Sequence, residues 1–113
     1  HGMAPLVSHC KELGLLEATA YTQNQCFEAG VQFARAEGIV PAPEANHAVK
    51  GAIEEALRCK RESKAETILF NLSGHGHFDM ASYQKYFAGE LTDQSYDEKE
   101  LAQALSGLPA VAA

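Results

Sequence analysis

Thr67-Ile68-Leu69-Phe70-Asn71-Leu72 is an almost unbroken apolar run, and it ends abruptly in Ser73-Gly74-His75-Gly76-His77-Phe78-Asp79. Few architectures accommodate such neighbours. A short run without polar alternation suits a strand covered by helices on both faces, as in parallel sheets. A strand of that kind needs helical layers around it, and the rest of the chain supplies helical patterns. The expected fold class is therefore α/β, with a few mostly parallel strands packed with helices, over residues 1–113 as a single domain or fragment.

The helical signals are local and readable. Pro5 suits the first turn of a helix carrying Leu6, His9, Cys10 and Leu13 on one face, stopped by Gly14. Leu16 to Tyr21 reads as a weaker, alanine-rich strand. Thr22-x-x-Gln25 is a capping-box pattern. It opens a helix with Phe27, Gly30, Val31 and Ala34 on one face and Gly38 at its end. Ile39 to Pro43 is a proline-stiffened connector, and Pro43 suits the start of the longest helix. That helix bears Ala45, Ala48, Val49, Ala52, Ile53, Ala56 and Leu57 as an apolar stripe. So much alanine lets a helix approach its neighbour closely. A further helix places Met80, Tyr83 and Phe87 on one side before Gly89. Asp97-x-x-Glu100 then starts a short one with Leu101, Ala104 and Leu105, ended by Gly107 and Pro109; residues 110–113 are expected to fray.

Composition excludes several functions. The formal net charge of −6, with acids and bases interspersed, repels phosphate backbones and argues against a nucleic-acid partner. No apolar run approaches the ~18 residues of a membrane span. The three cysteines, Cys10, Cys26 and Cys59, form no CxxC pair and read as reduced, mostly buried thiols of a cytoplasmic protein. The opening His1-Gly2-Met3, without an initiator methionine or a signal-peptide pattern, reads as a segment cut from a longer chain.

The richest chemistry lies at Ser73 to Asp79. Ligands of open α/β sheets bind beyond the carboxyl ends of strands, so a hydroxyl between a strand end and a helix start suggests the edge of a small-molecule site. Glycines there let backbone approach a ligand, while the alternative is a polar turn whose glycines meet backbone needs alone. His75, His77 and Asp79, at i, i+2 and i+4, could meet a metal ion only in an extended loop, and no fourth ligand lies nearby in sequence. Glu44 and His47 share the spacing of an iron-ligating Glu-x-x-His pair, but the other carboxylates such sites need are missing. Glu44 also reads as an exposed acid near the positive end of a helix. No nucleophile elbow, phosphate-binding loop or dinucleotide fingerprint is present.

Two segments together resemble the tryptophan synthase beta subunit family. The first is Glu37-Gly38-Ile39-Val40-Pro41-Ala42-Pro43-Glu44-Ala45-Asn46-His47-Ala48, and the second is Phe70-Asn71-Leu72-Ser73-Gly74-His75-Gly76-His77-Phe78-Asp79. The family carries E-G-I-x-P-A-x-E-x-x-H-A followed, after one helix and one strand, by N-L-S-G-x-G. Its common form continues S-G-R-G-D-K-D, whereas this chain reads S-G-H-G-H-F-D, similar to the divergent second type of beta subunit. That departure speaks against docking of an alpha subunit.

The resemblance implies the C-terminal segment of a fold type II pyridoxal-phosphate enzyme, a homo-oligomer that joins L-serine and indole to give L-tryptophan. It implies that Ser73 hydrogen-bonds the pyridine nitrogen of pyridoxal phosphate, Gly74 keeps backbone close to the ring edge, and Glu44 faces the cofactor near its phenolic oxygen. It implies no role for His75 or His77, and no metal. The Schiff-base lysine and the phosphate loop belong to earlier parts of that family's sequence, so the chain alone is expected to be inactive.

Overall fold

The computed structural model describes residues 4–93 and 98–107, without the side chain of Glu98. It contains five α-helices: α1 (Pro5–Glu12), α2 (Gln23–Glu37), α3 (Ala45–Glu62), α4 (Met80–Phe87) and α5 (Glu98–Ser106), with a single 3₁₀ turn at Gly76–Phe78. Among the described residues there is no strand. The β-type pairing found among them is an isolated antiparallel bridge between Pro41 and His75.

This overturns the α/β expectation. A strand exists by virtue of a ladder, and neither Thr67–Leu72 nor Leu16–Tyr21 finds a second extended segment to pair with. The run expected to be sheathed on both faces is instead mostly open. Leu69 is 96% exposed, while Phe70 and Leu72 are half-buried, the Phe70 ring lying edge-on to Phe33 of α2 at 5.9 Å.

The helices follow their local signals closely. Pro5 sits at the start of α1, and Gly14 takes the left-handed conformation (φ +70°) just beyond its end. Helix α2 opens with the expected capping box of Thr22 and Gln25, in which the Thr22 backbone N–H donates to Gln25 Oε1 at 3.0 Å, and Gly38 closes the helix at φ +73°. Gly89 does the same after α4. Helix α3 starts at Ala45, two residues later than Pro43 suggested, with Glu44 at its N-cap. The Asp97 cap and the fraying of residues 110–113 lie outside the described residues.

The core is small and sits where α2, α3 and α4 meet. Cys26, Phe27 and Ala29 of α2 pack with Ala45 and Val49 of α3 and Tyr83 of α4. Phe27 lies edge-on to Tyr83 at 5.0 Å and stacks on Tyr86 at 5.5 Å, the geometries aromatic pairs prefer. Only the first turns of the α3 stripe are covered, since Ala56 and Leu57 face solvent. Helix α1 buries no residue. The radius of gyration is 17.1 Å, against about 13 Å for a compact domain of similar length. All three cysteines are free, with Cys26 and Cys59 buried. No helix among the described residues is long and apolar enough to cross a membrane.

Two glycines measure how tight the α2–α3 contact is. A Cβ at Gly30 would overlap Oδ1 of Asn46 and lie 2.6 Å from its Nδ2, while a Cβ at Gly51 meets nothing within 4 Å. Gly30→Ala should therefore destabilise the fold by the roughly 1–3 kcal/mol typical of overpacking. Gly51→Ala, also mid-helix, should stabilise it by about 0.5–1 kcal/mol through propensity. Denaturant midpoints of the two variants shifting in the same direction would refute the close approach.

Asp93 adds a long-range cap. Its Oδ1 accepts the Asn24 backbone N–H at 2.9 Å, and Asn24 Nδ2 donates to the Leu91 carbonyl at 3.1 Å. These bonds to the positive end of α2, the Asn24 N–H foremost, hold the Asp93 carboxyl below its ordinary range. A depressed folded pKa gives stability that is present above the unfolded value, about 3.9, and lost as pH falls through the folded one. Asp93→Asn should lower the thermal midpoint at neutral pH, and its difference from the parent should shrink below about pH 4. A pH-independent difference would show that the charge plays no part.

Candidate functional site

Two backbone hydrogen bonds draw the resemblance-bearing segments together. Ala42 N–H donates to the Gly74 carbonyl at 2.9 Å, and Gly76 N–H donates to the Val40 carbonyl at 2.7 Å. Pro41, between them, has no N–H to place, so only its carbonyl needs a partner. That carbonyl is buried and accepts the Tyr83 hydroxyl at 2.6 Å. The connector after α2 and the turn before α4 are thus held as one unit, across the 18 residues of α3.

The pairing demands glycine at two places. A Cβ on Gly76 would come within 2.6 Å of the Pro41 carbonyl oxygen, a backbone atom that cannot swing away. On Gly74 it would meet the Ala42 Cβ at 3.1 Å, so the neighbour would have to give slightly.

Asn46 and Tyr83 lock this unit to the core. Asn46 is fully buried and Tyr83 is 3% exposed. Asn46 Nδ2 donates to Tyr83 Oη at 3.0 Å, and Asn46 Oδ1 lies 3.2 Å from the same oxygen. A phenol has one proton to give, and the shorter bond to Pro41 takes it. The Asn46 amide then completes the hydroxyl's acceptor side. Burial raises the Tyr83 pKa above its ordinary value, which keeps that proton in place. No buried side-chain polar atom among the described residues lacks a partner.

Around this frame lie the residues singled out from sequence. Ser73, just before Gly74, is exposed. Glu44, two residues beyond Ala42, is exposed at the positive end of α3, with no side-chain capping bond. Gly74 is half-buried. The structure therefore brings Ser73, Gly74 and Glu44 onto two paired segments, with the hydroxyl and the carboxyl open to solvent.

The histidines behave differently. His75 Nδ1 accepts the His77 backbone N–H at 3.2 Å, which requires that nitrogen to be unprotonated. The rings of His75 and His77 are 6.0 Å apart, and His77 lies edge-on to Phe78 at 5.1 Å. Among the described residues, no three His, Cys, Asp or Glu side chains gather as a metal site. The His47 backbone N–H reaches the Glu44 carbonyl at 3.3 Å, but the His47 ring turns to another partner. Its Nδ1 lies 3.2 Å from Cys26 Sγ. Burial pushes the Cys26 thiol up, so sulfur keeps its proton, and the tautomer of His47 sets which of the two donates.

Sequence reasoning passed over Asn46 and the hydroxyl of Tyr83. Of Met80, Tyr83 and Phe87, which the sequence places on one side of their helix, Tyr83 is buried and the other two are exposed, and the partners of Tyr83 are 42 and 37 residues away in sequence. A usable signal was present: Asn46 interrupts an alanine stripe on a helix that must face Gly30.

These elements define a class: a helical segment whose two paired loops carry an exposed neutral hydroxyl, glycine backbone and an exposed acid. No family model matches the chain. Known proteins do. The chain is 60% identical over 93 residues to the tryptophan synthase beta chain 2 of Aquifex aeolicus, covering 82% of this chain and 21% of that protein. It is 60% identical over 91 residues to that of Methanosarcina acetivorans, covering 80% and 21%. With that of Pyrococcus abyssi it shares 50% over 101 residues, covering 89% and 22%. Over the matched residues the chain belongs to the tryptophan synthase beta chain family, and it spans about a fifth of the length of these curated relatives.

Gly76→Ala should force Pro41 and His75 apart. Amide hydrogen exchange at Ala42 should then accelerate at least about tenfold, the effect of losing roughly 1.4 kcal/mol of local protection. Unaltered protection there would mean that the turn tolerates a side chain.

Proposed function

We propose that this chain forms the C-terminal part of a pyridoxal-phosphate-dependent lyase of the tryptophan synthase beta type, which joins L-serine and indole to give L-tryptophan. In that role it contributes the wall of the cofactor site that faces the pyridine nitrogen. The observation that carries the reading is the pairing of residues 40–42 with 74–76, which sets an exposed Ser73 and an exposed Glu44 on adjoining loops.

The donor set fits pyridoxal phosphate on this side. Ser73 would hold the ring nitrogen through its Oγ. Gly74 would keep the loop backbone close to the edge of a flat ring. Glu44 would lie toward the phenolic oxygen, where a carboxylate can hold or release a proton. When bound, the cofactor supplies an electron sink for carbanion chemistry at the amino acid. A neutral hydroxyl does not hold the nitrogen protonated as a carboxylate would. The weaker sink this leaves favours loss of a β-substituent over other carbanion fates.

Two lysines of this chain, Lys50 and Lys64, are engaged in ion pairs rather than free as covalent anchors. Lys50 is tied to Glu54 at 2.6 Å, and that bond raises its pKa further above neutrality. Lys64 pairs with Glu62 at 2.7 Å. A nucleophilic amine needs its proton removed, and the bond to Glu54 retains that of Lys50. The anchoring lysine and the phosphate loop then lie on polypeptide corresponding to the other four-fifths of the relatives. The apolar surfaces of Leu69, Phe78 and Leu6 would pack there. On this reading the full enzyme is a cytoplasmic homo-oligomer that does not depend on an alpha subunit, and the isolated segment is inactive.

In the full-length enzyme, Ser73→Ala should slow tryptophan formation by about 2- to 13-fold, matching the roughly 0.5–1.5 kcal/mol of one net hydrogen bond. Circular dichroism should be unchanged. Turnover equal to the parent's would place the pyridine contact elsewhere.

A further inference from the structure

The Tyr83 hydroxyl touches none of the exposed site residues, yet it closes the frame that carries them. It is buried on α4, donates to the Pro41 carbonyl at 2.6 Å and accepts from Asn46 Nδ2 at 3.0 Å. Pro41 is the residue bridged to His75, and Asn46 lies two residues beyond Glu44 in the first turn of α3. One oxygen atom therefore binds three elements: the connector, the start of α3 and, through its own helix, the turn that begins at Ser73. Tyr86, one turn along α4, stacks on Phe27 without reaching either loop.

We infer that Tyr83, with Asn46, is the positioning pair of the cofactor wall, setting where the Ser73 hydroxyl stands relative to Glu44. This rests on the assignment of Ser73 to the pyridine nitrogen. The physical reason is that Ser73 is exposed and the turn it begins is fixed by neighbours. The backbone bonds at Val40–Gly76 and Ala42–Gly74 set the separation of the two loops. They leave the pair free to pivot about the bridge. The hydroxyl bond to Pro41, from the side of α4, removes that freedom. Without it, a buried carbonyl and a buried amide lose their partner together, and the loops must shift to rehydrate them. A hydrogen bond between Ser73 and a ring nitrogen tolerates little displacement, since it weakens steeply away from ~3 Å and linear geometry.

The test compares two ligands in the full-length protein: pyridoxal phosphate, and its 1-deaza analogue, in which carbon replaces the ring nitrogen. Dissociation constants are measured by equilibrium titration, without reference to turnover. The parent should prefer pyridoxal phosphate several-fold, and Ser73→Ala should abolish that preference. Tyr83→Phe should reduce the preference to within about twofold, whereas Tyr86→Phe should keep it. A purely structural role for Tyr83 would weaken both ligands equally and leave their ratio at the parent's value, which would overturn the inference while leaving the Ser73 assignment standing. A parent with no preference between the two ligands would overturn both. Should Tyr83→Phe fail to fold, Asn46→Ala gives the same reading: it keeps the bond to Pro41 but frees the hydroxyl from α3. Loss of part of the preference in that variant supports the pair, and full retention refutes it.

Discussion

A single antiparallel bridge organises this molecule. Pro41 and His75 are paired through one backbone hydrogen bond on either side, and Ser73, Gly74 and Glu44 each lie within three positions of one partner or the other of that bridge. Isolated pairing of this kind is weak by itself, since two or three backbone bonds in water contribute little net stability. Burial makes it durable. Gly76 is buried, Pro41 is buried, and the Tyr83 hydroxyl seals the one backbone acceptor that the bridge leaves over. Glycine at 76 follows from the same packing, because the space a side chain would need is already taken by the Pro41 carbonyl and the Val40 methyl group.

What could be read from the sequence divides along a physical line. Helix ends announce themselves through residues that act on their own neighbours: Pro5 at a first turn, Thr22 with Gln25, and Gly14, Gly38 and Gly89 in the left-handed conformation. Those assignments hold. Thr67–Leu72 carries an equally clear signal, but its meaning is non-local. An apolar run says that something should cover it and cannot say what. Phe33 does so against Phe70, and among the described residues the ladder that would make a strand has no second edge. The α/β expectation took the pattern as evidence of a partner, and the pattern is evidence only of a need for one.

The site shows the same division. Ser73, Gly74 and Glu44 emerged from a family resemblance, and the relatives bear that resemblance out over four-fifths of the chain. The Asn46–Tyr83 pair could not emerge from spacing, because its logic is a match between a buried amide on one helix, a glycine on a second and a phenol on a third. Each residue alone has an ordinary explanation. Together they account for why α2 and α3 approach so closely at Gly30: the amide needs room beside the glycine before it can turn toward the hydroxyl.

The distribution of burial also bears on how such a wall could work. Exposed ion pairs are plentiful on α3, where Arg58 reaches Glu55, Glu62 and Glu66, but pairs of this sort contribute little and can be rearranged without consequence for the loops. The few neutral bonds at Pro41, Asn46 and Tyr83 lie where water cannot compete, and breaking any one strands a second polar atom. Precision in the site should therefore come from groups that meet no ligand. Ser73 and Glu44 can stand open to solvent because their backbones are not free to follow it. A hydroxyl that must meet a single ring atom is better placed by a rigid neighbour than by contacts of its own, which would compete with the ligand for its one proton.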